Sequence, residues 1–220
     1  VKQLENEVFK GKKWNKTREK MAIELYETNE KATKYANGQL DGIYEASYNY
    51  ANYEASKNYN VDLGISLLSI SLLKEMKKTK EIELPYKKLS KSKDIIYNVR
   101  SINTTVRQVI RKAKTTKQIV SNSIKIITSK GENAVQRGLE YALRSTKELG
   151  DFESTVSIAD DLGIEILKEW TATADDRTRE THQDLDGQQV PLEEPFETGG
   201  YTIMYPRDPD AALEMVANCR

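Results

Sequence analysis

Two residue types that carry much of enzyme and metal chemistry are almost missing: the 220 residues hold one histidine, His182, and one cysteine, Cys219. One histidine excludes a two-histidine metal site, and no serine stands in a nucleophile-elbow context that would pair with it. One cysteine excludes an internal disulfide. There is no glycine-rich phosphate loop and no dinucleotide fingerprint. Long apolar runs are lacking as well. The longest, Leu63 to Leu73, is interrupted by Gly64, Ser66, Ser69 and Ser71 and falls short of the ~20 residues that cross a bilayer. With no membrane span and no basic-then-apolar leader, we expect a chain made in a reducing cytosol. Val1 in place of Met, and an end at Cys219-Arg220, lead us to expect a portion of something longer.

Charge is abundant but unevenly placed. Charged residues make up 31% of the chain and sum to zero, which conceals three regions of different sign. Residues 1 to 73 carry 10 basic and 10 acidic side chains, 74 to 130 carry 16 and 4, and 131 to 220 carry 8 and 20. A neutral total therefore says little about any one surface.

Helical periodicity dominates the first two-thirds. Trp14, Met21, Leu25, Thr28, Ala32 and Tyr35 follow three-and-four spacing, which predicts a helix from Leu4 to about Tyr35, stopped by Asn37-Gly38. Leu40 to Tyr59 is rich in tyrosine, with Tyr44-Glu-Ala-Ser47 echoed by Tyr53-Glu-Ala-Ser56. Those rings either pack on neighbouring helices or stack on a partner's bases. Asp62 is the expected cap of an apolar helix ending near Met76, and Lys74 to Lys93, with Pro85, reads as a hinge. From Lys93 to Ile127, Ile95, Val99, Ile102, Val106, Val109 and Ala113 fall on one stripe. Lys93, Arg100, Arg107, Arg111 and Lys114 gather on the opposite side. That row is either a solvated face or a track for DNA phosphates, and with no base-reading motif any DNA contact is non-specific. Gly131 and Gly150 bound the next predicted helix.

The last fifty residues change character. Ile164 to Ala172 alternate as a half-buried strand that carries Trp170, Asp175 or Asp176 caps a helix from Arg177 to Leu185, and Asp186-Gly187 turns the chain. Gln188 to Leu192 and Tyr201 to Tyr205 are further strands, and Asp208-Pro209 opens a closing helix. The fold class is thus α+β, with a helical arm over residues 1–80, a basic helical region over 81–130 and a small module of strands and helices over 131–220. Asp184-Leu-Asp-Gly187 has the look of a calcium-loop start, but Pro191 and Leu192 occupy later ligand positions. His182 and Cys219, with Asp175 or Asp184, make a thin zinc set. The competing reading is a buried His182 bonded to a loop carbonyl, with Cys219 as small packing.

Taken in order, Trp170, Asp176, Arg177, Thr178, Arg179, His182, Leu185, Asp186, Gly187, Pro195, Phe196, Pro206, Asn218, Cys219 and Arg220 are similar to the C-terminal motif of the Mu F-like minor head (head morphogenesis) proteins of tailed phages. Some members place a Cys-x-x-Cys pair where this chain has Arg179 and His182, which with a final Cys-x-Cys implies a metal knuckle in those members. The resemblance implies a non-enzymatic minor capsid component inside the virion, assembled in the host cytoplasm without a cofactor or membrane contact. Its expected partners are the portal protein or the major capsid protein, and packaged double-stranded DNA. The alternative it implies is an anchor or delivery module of a longer phage or toxin protein, with an effector domain beyond residue 220.

Overall fold

The computed structural model describes residues 9–10, 12–59, 67–112, 116–173 and 175–216. The chain is α+β. Helices α1 (Lys12–Tyr59), α2 (Ile70–Thr79), α3 (Lys91–Ile110) and α4 (Thr116–Leu162) come first. They are followed by β1 (Leu167–Glu169), α5 (Glu180–Leu185), β2 (Gln189–Pro191), β3 (Phe196–Thr198), β4 (Tyr201–Ile203) and α6 (Leu213–Val216). The strands make two antiparallel pairs, β1 with β2 and β3 with β4.

Packing divides the chain into two units, each built from two stretches: 1–37 with 87–140, and 38–86 with 141–220. The sequence reading places three successive segments instead. In the first unit Trp14, Ala22, Ile102, Val106, Val109, Ile110, Ile119 and Ile127 form the core. The stripe read on α3 is the face that packs there, with Ile95 and Val99 half-buried against it. In the second unit one cluster joins Leu40, Tyr44, Leu68, Leu73, Ile82, Leu84, Ala142 and Leu149, and another surrounds Trp170.

Several expected boundaries are corrected. Helix α1 does not stop at Asn37-Gly38. The Asn37 amide donates to the Lys87 carbonyl at 3.0 Å and accepts the Lys87 N–H at 3.1 Å, so its side chain ties two stretches together and the backbone stays helical. Helix α3 ends at Ile110, short of Ile127, and α4 runs through both Gly131 and Gly150. The apolar helix starts at Ile70, where the Ser69 hydroxyl accepts the Leu72 N–H; Asp62 lies outside the described residues. Ile82 and Leu84 are buried, so the stretch read as a hinge contributes to the core. Of the tyrosines, Tyr44 is fully buried while Tyr50 and Tyr53 are exposed.

The C-terminal elements are shorter than expected, and β3 was not foreseen. Helix α5 begins at Glu180, because Asp175 caps the preceding turn: its carboxylate accepts the Arg177 N–H at 2.9 Å. Asp208-Pro209 forms a turn rather than a helix start. The Asp208 carboxylate accepts the Met204 N–H at 3.1 Å and the Asp210 N–H at 2.9 Å, and helical structure waits until Leu213.

Gly150 explains why a glycine sits inside a long helix. A Cβ there would stand 2.9 Å from the Tyr44 carbonyl oxygen and 3.0 Å from Ser47 Cβ. Gly38 and Gly42 have nothing within 4 Å. Gly150→Ala should therefore destabilise by roughly 1–3 kcal/mol through overpacking. Gly38→Ala and Gly42→Ala should stabilise by about 0.5–1 kcal/mol through helix propensity. Urea midpoints of the three variants check this opposition of sign.

Candidate functional site

The residues of the C-terminal motif come together around Trp170, which is 6% exposed. Phe196 meets its ring edge-on at a centroid distance of 5.3 Å, and the His182 ring does so at 5.5 Å. Leu185, Ile203 and Met215 complete the cluster. The backbone of Trp170 is held from both sides: its N–H donates to Gln188 at 3.0 Å, and its carbonyl accepts the Gly187 N–H at 2.8 Å. Next to it the Asp186 carboxylate accepts the Ala172 N–H at 2.7 Å. Gly187 takes φ +77, a left-handed value that glycine adopts without steric cost. The Leu185-Asp-Gly turn thus supplies a core side chain, a backbone acceptor and a permissive corner in three successive residues.

Two motif residues hold α6 in place. Arg179 Nη1 donates to the Glu214 carbonyl at 2.6 Å, and His182 Nε2 lies 2.8 Å from the Met215 carbonyl. A carbonyl only accepts, so Nε2 carries the proton and donates. Burial pushes the His182 imidazolium below its ordinary range, and the nearby Arg179 charge pushes the same way. The neutral, Nε2-protonated ring is the form built into the fold. The carbonyl partner belongs to a short helix rather than to a loop.

On the other side of β1, Lys168 donates to the Met204 carbonyl at 3.0 Å and sits over the rings of Phe152 and Phe196 at 5.2 and 5.1 Å. Burial lowers its ammonium to about 8, opposed by the charge of Asp208. The two rings restore part of the lost solvation.

Beside Trp170 opens a cleft of about 600 Å³, within the size range of small-molecule sites. Trp170, Thr171, Thr173, Thr178 and His182 line it, together with Arg177, Arg179, Arg207 and Asp175. The Asp175 carboxyl is held below the usual carboxylate range, first by the Arg177 N–H and then by the Thr178 hydroxyl and the Arg177 side chain. The Arg177 guanidinium is 3.1 Å from it. Thr171, Thr173 and Arg207 were not singled out from the sequence. Arg207 stands between Pro206 and Asp208-Pro209, where nothing in its neighbours betrays that it turns inward.

The row of cations proposed for DNA lies in the other unit. Lys93, Arg100, Arg107 and Arg111 are exposed, with the Arg107 guanidinium 5.4 Å from the centre of the Phe9 ring. Arg111 lies just past the end of α3, because the helix is shorter than the periodicity suggests. Lys114 and Cys219 lie outside the described residues. Among the described residues no group of three or more histidine, cysteine, aspartate or glutamate side chains is placed to hold a metal ion, and no helix is long and apolar enough to cross a membrane.

No family model matches the chain, and no solved structure matches it. Over 62 residues it is 48% identical to a protein of Enterococcus faecalis named NAD(+)–arginine ADP-ribosyltransferase EFV. That stretch is 28% of this chain and 12% of the relative, so the chain spans about one-eighth of the protein it matches.

The depressed His182 pKa carries a signed consequence. A ring that prefers neutrality in the fold contributes stability fully above pH 6.5, and loses it as pH falls from there through the lowered folded value. Denaturant titrations of the wild type and His182→Gln should therefore show a stability difference that narrows as pH drops below 6.5. A difference that widens on acidification would reverse the assigned sign.

Proposed function

We propose that this chain is a non-enzymatic minor capsid protein of the head-morphogenesis type. In this reading its N-terminal helices dock on a portal or capsid partner inside a tailed-phage head, and the C-terminal module is a structural unit carried with them. The observation that carries the proposal is the use made of the motif residues. Trp170, Leu185, Asp186 and Phe196 build one small core and its immediate scaffold, and Arg179 and His182 clamp the helix that closes it, as expected of a structural motif.

A second reading has a specific observation behind it. The matched stretch is a small part of a protein named for ADP-ribosyl transfer, so the shared segment is there one piece of a longer protein. In that reading it anchors or delivers, and the chemistry belongs to another part of the longer protein. Incubation of this chain with NAD+ and an arginine-bearing acceptor should give no transfer. Transfer above background that follows the protein through purification would make the chain itself an enzyme and overturn the first reading.

DNA contact belongs to the exposed cations on and after α3. Replacing Arg100, Arg107 and Arg111 together by Glu should weaken binding of duplex DNA at low salt and flatten its dependence on salt, because three phosphate contacts and their released counterions are lost. Circular dichroism checks that the variant keeps its helices. A gel shift unchanged from the wild type removes DNA from the proposal while leaving the docking role intact.

A further inference from the structure

The cleft beside Trp170 is unlike the surface around it. The stretch from residue 131 onward carries 20 acidic against 8 basic side chains, yet the cleft is lined by three arginines against one carboxylate. Arg177 is paired with that carboxylate, Asp175. Arg179 donates to a neutral carbonyl, which leaves its charge uncancelled. Arg207 is the most telling. Its side chain is only 12% exposed, its closest carboxylate, Glu148, is at the long distance of 3.5 Å, and its Nε has no hydrogen-bond partner. An unfilled guanidinium donor costs free energy, and Arg207 brings to the cleft wall a charge that its distant carboxylate only partly offsets.

The backbone holds Arg207 in this position by force. Its φ is +62, a left-handed conformation that residues with a Cβ rarely adopt. The Ser145 hydroxyl, itself fully buried, donates to the Arg207 carbonyl at 2.7 Å and pins the turn. Thr171 and Thr173 line the same wall, where the Thr178 hydroxyl is already committed to the Thr173 carbonyl. Guanidinium forks and hydroxyls around a half-open, nucleotide-sized space are the donor set of a site for tetrahedral oxyanions.

We propose that this cleft is a binding site for a phosphate monoester, held by Arg177, Arg179 and Arg207. The site stands whether or not the chain is a capsid component, since it rests on residues of the C-terminal unit alone. The ligand is either free phosphate or the phosphorylated end of a larger molecule; both share the dianion that the arginines recognise.

His182 lines the same cleft and is the chain's one histidine, so a single imidazole resonance reports on occupancy. The charged groups of the cleft are Arg177, Arg179, Arg207 and Asp175; the Arg179 charge acts on His182, and a bound dianion opposes it. Titrating the full chain by NMR at constant ionic strength, first with inorganic phosphate and then with AMP, should raise the His182 pKa in a saturable way, where chloride does not. Arg177→Gln, an exposed substitution, and Arg207→Gln should each weaken the dissociation constant roughly tenfold, as loss of a charge-assisted hydrogen bond does. Stronger binding of AMP than of free phosphate assigns the remaining volume to the rest of the ligand, and equal binding assigns the site to the phosphate alone. A His182 resonance that responds to phosphate no more than to chloride overturns the proposal. So does a response unchanged in Arg177→Gln, the variant that leaves the buried turn untouched.

Discussion

The burial of one indole is the constraint on which the C-terminal unit depends. Its four strands are three residues each and make only two isolated pairs, and two-stranded pairs of that length have no independent stability in water. They persist because Trp170, Phe196, Leu185, Ile203, Met215 and Val216 share one dry cluster. Three polar motif residues and a glycine serve that cluster indirectly. Asp186 and Gly187 fix the backbone on either side of the indole, while Arg179 and His182 clamp α6, which delivers Met215 and Val216. Truncation of a tryptophan at such a place typically costs about 3–5 kcal/mol, a large part of what a small unit has available.

The same economy accounts for the cleft. Building a core from so few residues leaves the loops on one side to be organised by hydrogen bonds and charge, and these loops carry Arg177, Arg179 and Arg207. Arg179 is part of both arrangements, structural through its contact with the Glu214 carbonyl and electrostatic through its uncancelled charge. The clamp on α6 and the cleft wall therefore share a residue within one unit.

How much of this was legible beforehand depended on which force decides each feature. The central place of Trp170, the α+β class and the inward stripe of α3 follow from periodicity and residue size, and the structure has them. Glycine misleads about the helix ends. At Gly150 the missing side chain makes room for the Tyr44 carbonyl, a demand set by a residue more than a hundred positions away. At Asn37 a side chain that often ends helices is spent on Lys87 instead. Strand β3 escaped notice because three residues between Pro195 and Gly199 offer no period to read. Arg207 carried no local sign at all: its left-handed turn and inward direction come from Ser145 on α4 and from the Asp208 turn.

If the motif builds a cooperatively folded unit around Trp170, native-state hydrogen exchange reads it out residue by residue. The amides of Trp170, Gly187 and Leu192 donate within one small ladder. They should exchange slowly and together, with a shared opening free energy. Exchange of these three at rates near those of an unstructured peptide, while α4 stays protected, would contradict the account.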